Sequence, residues 1–470
     1  MAFCQSIAHL FHSSASGRKL RADAGSGPAT ASGAPGPAGA SIAAAQAGIY
    51  LRGLLEAKAG ERNLEDIADT VPGGDHQRVH HFVSNSPWVD ATVLEWVSRA
   101  ADGLLGGLPQ SHLIIDESGF TKKGAGSAGV ARQYNGRMGK VDNCQVGVFA
   151  ALAAGQRVTL LEGRLYLPKA WCGDAARCRK AKVPEEARTF KSKAQMALEM
   201  VRTARARGVR HHWVSLDGGY GKEAALLRAL DDEREVFVAD VHADQRLWLE
   251  DPQPAVPEAL GRGKKPTRLK AIGKAIEVRA WVARQSAGSW VKFQRREGIN
   301  GPLRGDFLHR RVWVWDQCEE SARLWHLLVW RPGESPQEIK YVFSNAAAGI
   351  PALELARMAC SRYPVERALQ DAKSSVGMGE YQLRGWVGWH HHMSLVMLAM
   401  IFLLQQKVLL ASEVPLLSSE DIVWLLEKYL PRPAASEEEV QADLARRHRR
   451  RKADIDSKRR RNRPVLEDIL

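Results

Sequence analysis

Three carboxylates in distinct local settings are the residues of this chain best suited to do chemistry: Asp116, Asp217 and Glu366. Asp116 closes the apolar run Leu113-Ile114-Ile115 and opens Asp116-Glu117-Ser118-Gly119-Phe120. Asp217 closes Trp213-Val214-Ser215-Leu216 and opens Asp217-Gly218-Gly219-Tyr220-Gly221. Glu366 follows Arg362-Tyr363-Pro364-Val365, with Lys373 two turns further along an expected helix. Carboxylates at the ends of two buried strands, joined by one on a packed helix, can converge on divalent cations. Two such ions about 3.5–4 Å apart activate the attacking oxygen, neutralise the transition state and stabilise the leaving oxygen when a phosphodiester bond is cut. Magnesium prefers carboxylate and water oxygens and retains several waters, so few side chains suffice. In this reading Asp116 bridges both ions, and Asp217 and Glu366 each complete one side. Without a cation, three clustered carboxylates would repel until one took up a proton.

The rest of the composition sets bounds. A chain of 470 residues with 45% hydrophobic content has length for two to four folding units and a large core. A net charge of +14 points to an anionic partner, although membrane-surface proteins share that balance. The six cysteines are scattered without a disulfide framework, which fits a reducing cytoplasm. Cys172 and Cys178, followed by His211-His212, are spaced more widely than a zinc site prefers. The most apolar window, Met393 to Leu404, is too short to span a bilayer and reads as a buried helix. The first residues lack the basic start and sustained apolar core of a secretory signal.

The elements that must position the carboxylates follow from periodicity. Residues 1–46 are rich in Ala, Gly, Ser and Pro and are expected to be a disordered extension. Residues 47–108 read as a helical N-terminal domain, suited either to holding DNA ends or to packing as a cap on the main domain. Residues 109–241 alternate strand and helix signals in β-β-β-α-β-α-β order, with strands at Leu113–Ile115, Gln145–Ala154, Val158–Tyr166, Trp213–Leu216 and Val236–Val241. Residues 242–345 break the rhythm and read as a β-rich insertion, with runs at Ala275–Val282, Trp290–Phe293, Arg311–Trp315 and Leu324–Trp330. Its tryptophans are expected in the core. Residues 346–412 return to helix and carry Glu366, and residues 413–470 form a helical, basic tail. Pro364 disfavours an α conformation at Tyr363 and suits a helix start. From there Glu366, Gln370 and Lys373 fall within about 60° of one another on a helix of about 100° per residue. His390, His391 and His392 cannot all face one ion, because consecutive helical side chains diverge by about 100°.

The words around the carboxylates resemble the DDE-type transposases of bacterial insertion sequences, a branch of the RNase H-like superfamily. The match lies in Asp116 to Gly124, Gly129 to Tyr134, Asp142 to Val148, Leu165 to Pro168, the Asp-x-x-Tyr-Gly word at Asp217, and Tyr381 to Arg384 with Gly388 to His390, spanning about 47–410. The resemblance implies an α/β fold: an RNase H-like mixed β-sheet flanked by helices, interrupted by the β-rich insertion and preceded by the helical domain. It implies that Asp116, Asp217 and Glu366 are catalytic metal ligands for two Mg²⁺ ions, with Mn²⁺ as a substitute. Arg362 and Lys373 match the basic positions of the tyrosine-arginine-glutamate-lysine signature and would hold DNA phosphates, while Lys122, Lys123 and Arg132 would line the DNA path. Ala359 stands where that signature has its tyrosine. The implied protein binds the terminal inverted repeats of its element and target DNA as a synaptic homodimer, cleaves the ends and transfers the 3′ ends. It would work in the bacterial cytoplasm, on the nucleoid, without a membrane. Two alternatives are a catalytically inactive DNA-binding descendant and a host RNase H-like nuclease.

Overall fold

The computed structural model describes residues 37–461, apart from 137, 259–260, 262–264, 299–300, 336 and 431–436. Four helices come first: α1 (Pro37–Glu56), α2 (Leu64–Thr70), α3 (His76–Ser84) and α4 (Asp90–Leu105). Helix α1 begins inside the stretch expected to be disordered up to residue 46. Its alanines favour helix, and Ala47, Tyr50, Leu51 and Leu54 give it a buried face. Residues 1–36 of the expected extension lie outside the described residues. Helices α2 and α3 start where the sequence supplies an acceptor: Asn63 caps the amides of Glu65 and Asp66, and Asp75 caps that of Arg78.

The next elements are β1 (Ser111–Thr121), β2 (Ala131–Asn135), β3 (Lys140–Ala154), β4 (Arg157–Leu165), α5 (Lys169–Cys172), α6 (Ala175–Lys180) and α7 (Lys193–Ala206). They continue through β5 (Trp213–Leu216), α8 (Gly218–Gly221), α9 (Ala224–Asp232) and β6 (Phe237–Val241). Both β2 and β4 pair with β3, which runs antiparallel to β1, and β5 lies between β1 and β6, parallel to both. This is a mixed α/β sheet flanked by helices, consistent with an RNase H-like fold. The first strand is longer than its apolar run: Asp116 lies within it, because antiparallel pairing with β3 continues to Thr121↔Cys144 beyond the acidic pair.

Residues 242–345 begin with the small ladder of β7 (Arg246–Leu247) and β8 (Ile276–Glu277), followed by α10 (Val278–Val282). Most of the run Ala275–Val282, expected to be extended, is therefore helical, since Val278, Trp281 and Val282 share one helical face and are all buried. The strands β9 (Val291–Gly298), β10 (Gly301–Val314), β11 (Arg323–Pro332) and β12 (Lys340–Ser344) follow. They extend the main sheet rather than forming a separate one: β12 pairs antiparallel with β6, and the order continues β12-β11-β10-β9. Trp281, Trp325 and Trp330 are buried in it.

Helices α11 (Ala352–Ala359), α12 (Pro364–Val376), α13 (Trp386–Leu409) and α14 (Ser419–Tyr429) come next, and α15 (Glu437–Arg461) is described in the second of two units, which divide between Glu427 and Lys428. Helix α13 has 24 residues and is long and apolar enough by length and composition to cross a membrane, which the shorter window expected from sequence was not. Yet 67% of its most apolar window is buried, where it packs on β4 and α4. The N-terminal helices share its core. Tyr50 Oη lies 2.7 Å from His392 Nδ1, and the His391 ring reaches the carbonyls of Val83 and Trp88. The three consecutive histidines thus go to three different neighbours, His390 turning to the Trp386 carbonyl.

Candidate active site

Strand register brings the acids together. The parallel pairs Ile115↔Leu216 and Leu216↔Ala239 place Asp116, Asp217 and Asp240 one residue further on, across three neighbouring strands. Asp217 and Asp240 stand at the carboxyl ends of β5 and β6, where open α/β sheets bind their ligands. Asp116 Oδ1 accepts from the Glu117 amide at 2.7 Å. Asp217 Oδ1 accepts from the amides of Gly219 and Tyr220 at 2.9 and 3.1 Å, so its side chain caps the turn that follows. That turn sits hard against β6: a Cβ on Gly221 would lie 1.8 Å from the Asp240 carbonyl oxygen. The Tyr220 hydroxyl is buried near Asp116, Glu117 and Asp217, without a hydrogen-bond partner among the described residues.

The glutamate arrives on α12. Its buried face is Val365, Ala368, Leu369, Ala372 and Val376, which leaves Glu366 and Gln370 exposed with Lys373 beside them. Glu366 lies in the first turn, where the helix dipole favours a negative charge. Tyr363 adopts an α conformation (φ −47°, ψ −35°) despite the proline after it, contrary to the sequence expectation. The Val365 and Glu366 amides reach back to the carbonyls of Arg362 and Tyr363, so this turn winds tightly enough to override the pre-proline preference. Three contacts hold the helix in place. On β1, the imidazole of His112 lies 3.2 Å from the Ser361 carbonyl and 2.9 Å from that of Gln110; burial keeps the ring neutral, so it donates to one of them. Arg62, before α2, donates to the Ser374 carbonyl at 2.7 Å. Asp371 accepts from Ser419 Oγ at 2.6 Å and from Arg367 Nε at 2.8 Å, tying α12 to α14.

Arg362 is the hub. Its guanidinium lies 3.2 Å from Asp116 Oδ2, 3.4 Å from Glu366 Oε1 and 3.6 Å from Asp240 Oδ2. Burial pushes the Asp116 carboxyl up to about 6; Arg362 opposes the shift, and Asp217 and Glu366 add to it. Burial likewise pushes Asp240 up to about 6, against Arg362 and Lys340 and with Asp217 and Glu366. Burial works against the charge on Arg362, but Asp116, Asp240, Glu366 and Asp217 outweigh it and hold its pKa above the ordinary value. Among the described residues no three His, Cys, Asp or Glu side chains are gathered closely enough to form a ready metal cage. The carboxylates surround a guanidinium instead. Their chemistry still fits a divalent cation: hard oxygen donors, partly desolvated, that destabilise one another when ionised.

The basic residues singled out from sequence are dispersed. Lys373 Nζ lies 5.8 Å from the centroid of the Phe120 ring, on the glutamate side of α12. Lys122 folds onto Tyr381, its ammonium 3.5 Å from the ring centroid, and desolvation lowers its pKa to about 8. Lys123 and Arg132 are exposed. Ala359 is buried in an apolar cluster with Trp213, Val238 and Leu355. Asp240 was missed from sequence. Its signal was a lone acid, one place from the end of the apolar strand Phe237–Val241, following the same βα rhythm that delivered Asp217.

A family model described as DDE superfamily endonuclease matches residues 39–302, more than half of the chain. A protein of Microchaete diplosiphon named "Probable transposase for insertion sequence element IS701" is 29% identical over 273 residues, covering 54% of this chain and 68% of its own length. Among solved structures, the NurA nuclease from Sulfolobus solfataricus overlaps 56% of this chain and 78% of its own at 10% identity, with a TM-score of 0.23, too low to bear on the fold. With Asp116 and Asp217 in register on neighbouring parallel strands and both inside the matched residues, the chain belongs to the DDE superfamily endonucleases.

Proposed function

We propose that this protein is the transposase of an insertion sequence, which binds the terminal inverted repeats of its element, cleaves DNA at the ends and joins the freed 3′ ends to target DNA. One observation carries the reading: in a chain of the DDE endonuclease family, Asp116 and Glu366, far apart in sequence, both pair with Arg362, and strand register sets Asp217 beside Asp116. The resemblance of a named transposase along half of the chain supports the same conclusion.

In this reading Asp116, Asp217 and Glu366 hold two Mg²⁺ ions, which Mn²⁺ can replace. When bound, such ions lower the pKa of the attacking hydroxyl and neutralise charge at the scissile phosphate. The chain's own residues do the rest. The tight turn at Gly218–Gly221 fixes Asp217, α12 presents Glu366 at its dipole-favoured end, and Arg362 and Lys373 offer cationic donors to DNA phosphates on the same side. Lys123 and Arg132 extend the path for double-stranded DNA, whose two ends would be held by a homodimer.

The test is a nicking and strand-transfer assay on DNA carrying the element's own terminal repeats. Asp116→Ala, Asp217→Ala or Glu366→Ala should each lower Mg²⁺-dependent cleavage by at least about 100-fold, the scale seen when a principal electrostatic group is removed. DNA binding by gel shift should change little. Cleavage that survives the substitutions would refute the assignment. Cleavage of DNA without regard to the repeats would favour a host nuclease.

A further inference from the structure

Arg362 and a divalent cation cannot both sit on the same carboxylate oxygens. A single and a double positive charge about 4 Å apart repel by several kcal/mol even at the effective dielectric of a protein surface. Cation binding at Asp116 and Glu366 therefore requires the guanidinium to leave them. Arg362 is only 25% exposed, and an arginine at such a site needs a replacement partner. Asp240 is already within 3.6 Å, it is 31% exposed, and it projects from β6, two strands away from the β1 that carries Asp116. The five donors of a guanidinium allow it to release two carboxylates while keeping a third.

We propose that Asp240 is a positioning residue, the counter-ion onto which Arg362 withdraws when cations occupy Asp116 and Glu366. The inference rests on the reading of those carboxylates as the cation-holding set. Asp240 thereby favours cation binding without ligating the ion, and it holds Arg362 beside the site, oriented for a phosphate.

The test is Mn²⁺ binding to the full chain without DNA, followed by calorimetry and electron paramagnetic resonance in four proteins: wild type, Asp240→Asn, Arg362→Gln and the double variant. Asp240→Asn should weaken Mn²⁺ binding about tenfold, a shift of about 1.4 kcal/mol, because Arg362 stays on Asp116 and Glu366. Arg362→Gln should tighten binding, and in that background Asp240→Asn should have little further effect. An equal loss in both backgrounds would make Asp240 a ligand and overturn the proposal. So would an unchanged affinity for Asp240→Asn, or weaker binding by Arg362→Gln, which stands as an independent arm if Asp240→Asn does not fold. If the wild type binds no Mn²⁺ while every variant folds, the cation-holding reading itself fails, and the inference with it.

Discussion

At the scale of single residues, Asp116 and Asp240 are held in places that disfavour their charge. A free aspartate titrates near 3.8, whereas both are pushed up to about 6 here, with burial the first cause. The folded state therefore binds protons that the unfolded state has already released. The stability linked to those protons is fully present below the unfolded pKa and is lost as pH rises through about 6. The metal-free protein should become less stable to urea between about pH 4 and pH 6 through these groups, the range between the unfolded and folded titrations. Asp116→Asn should flatten that slope in equilibrium unfolding; an unaltered slope would count against the buried, repelled carboxylate. The same protons compete with cations, so Mn²⁺ affinity should rise over the same interval.

Secondary-structure elements place these residues by contacts that tolerate little change. The α8 turn approaches β6 so closely that any side chain at Gly221 meets the Asp240 backbone. Gly221→Ala should cost about 1–3 kcal/mol by overpacking. It should also lower cleavage more than DNA binding, because Asp217 caps that turn and must move with it. A variant with wild-type thermal stability and cleavage would show that the turn has slack the structure does not display. Much of this level was legible in advance. Apolar runs located β3, β4, β5 and β6, and a proline located the start of α12. The misreadings have a common cause. Local preference at Tyr363 and at Val278–Val282 yielded to hydrogen bonds and buried faces that become available only after folding.

At the scale of the whole fold, the segment read from sequence as a β-rich insertion is continuous with the sheet that carries Asp116 and Asp217. Because β12 hydrogen-bonds to β6, the strand bearing Asp240 is internal to the sheet. Replacing residues 246–345 by a short linker should expose the β6 edge and give an aggregating or protease-sensitive protein, as an open hydrophobic edge does. Recovery of a soluble, cooperatively unfolding core would mean that the insertion is a separable module. The N-terminal helices share a core with α13 through Tyr50, His391 and His392. They are accordingly built into the same unit as the sheet, and Arg62 ties the segment before α2 to α12.

By itself, the sequence determined which residues are candidates for the chemistry. An acid that ends an apolar run, a glycine-rich turn after it and a basic pair around a glutamate are local patterns, readable without knowing the path of the chain. Only the tertiary structure decided that Asp240 joins them, that Arg362 lies between the acids, and that Lys122 folds onto Tyr381. Those relations depend on strand register and on contacts between residues more than a hundred positions apart, which no local propensity encodes.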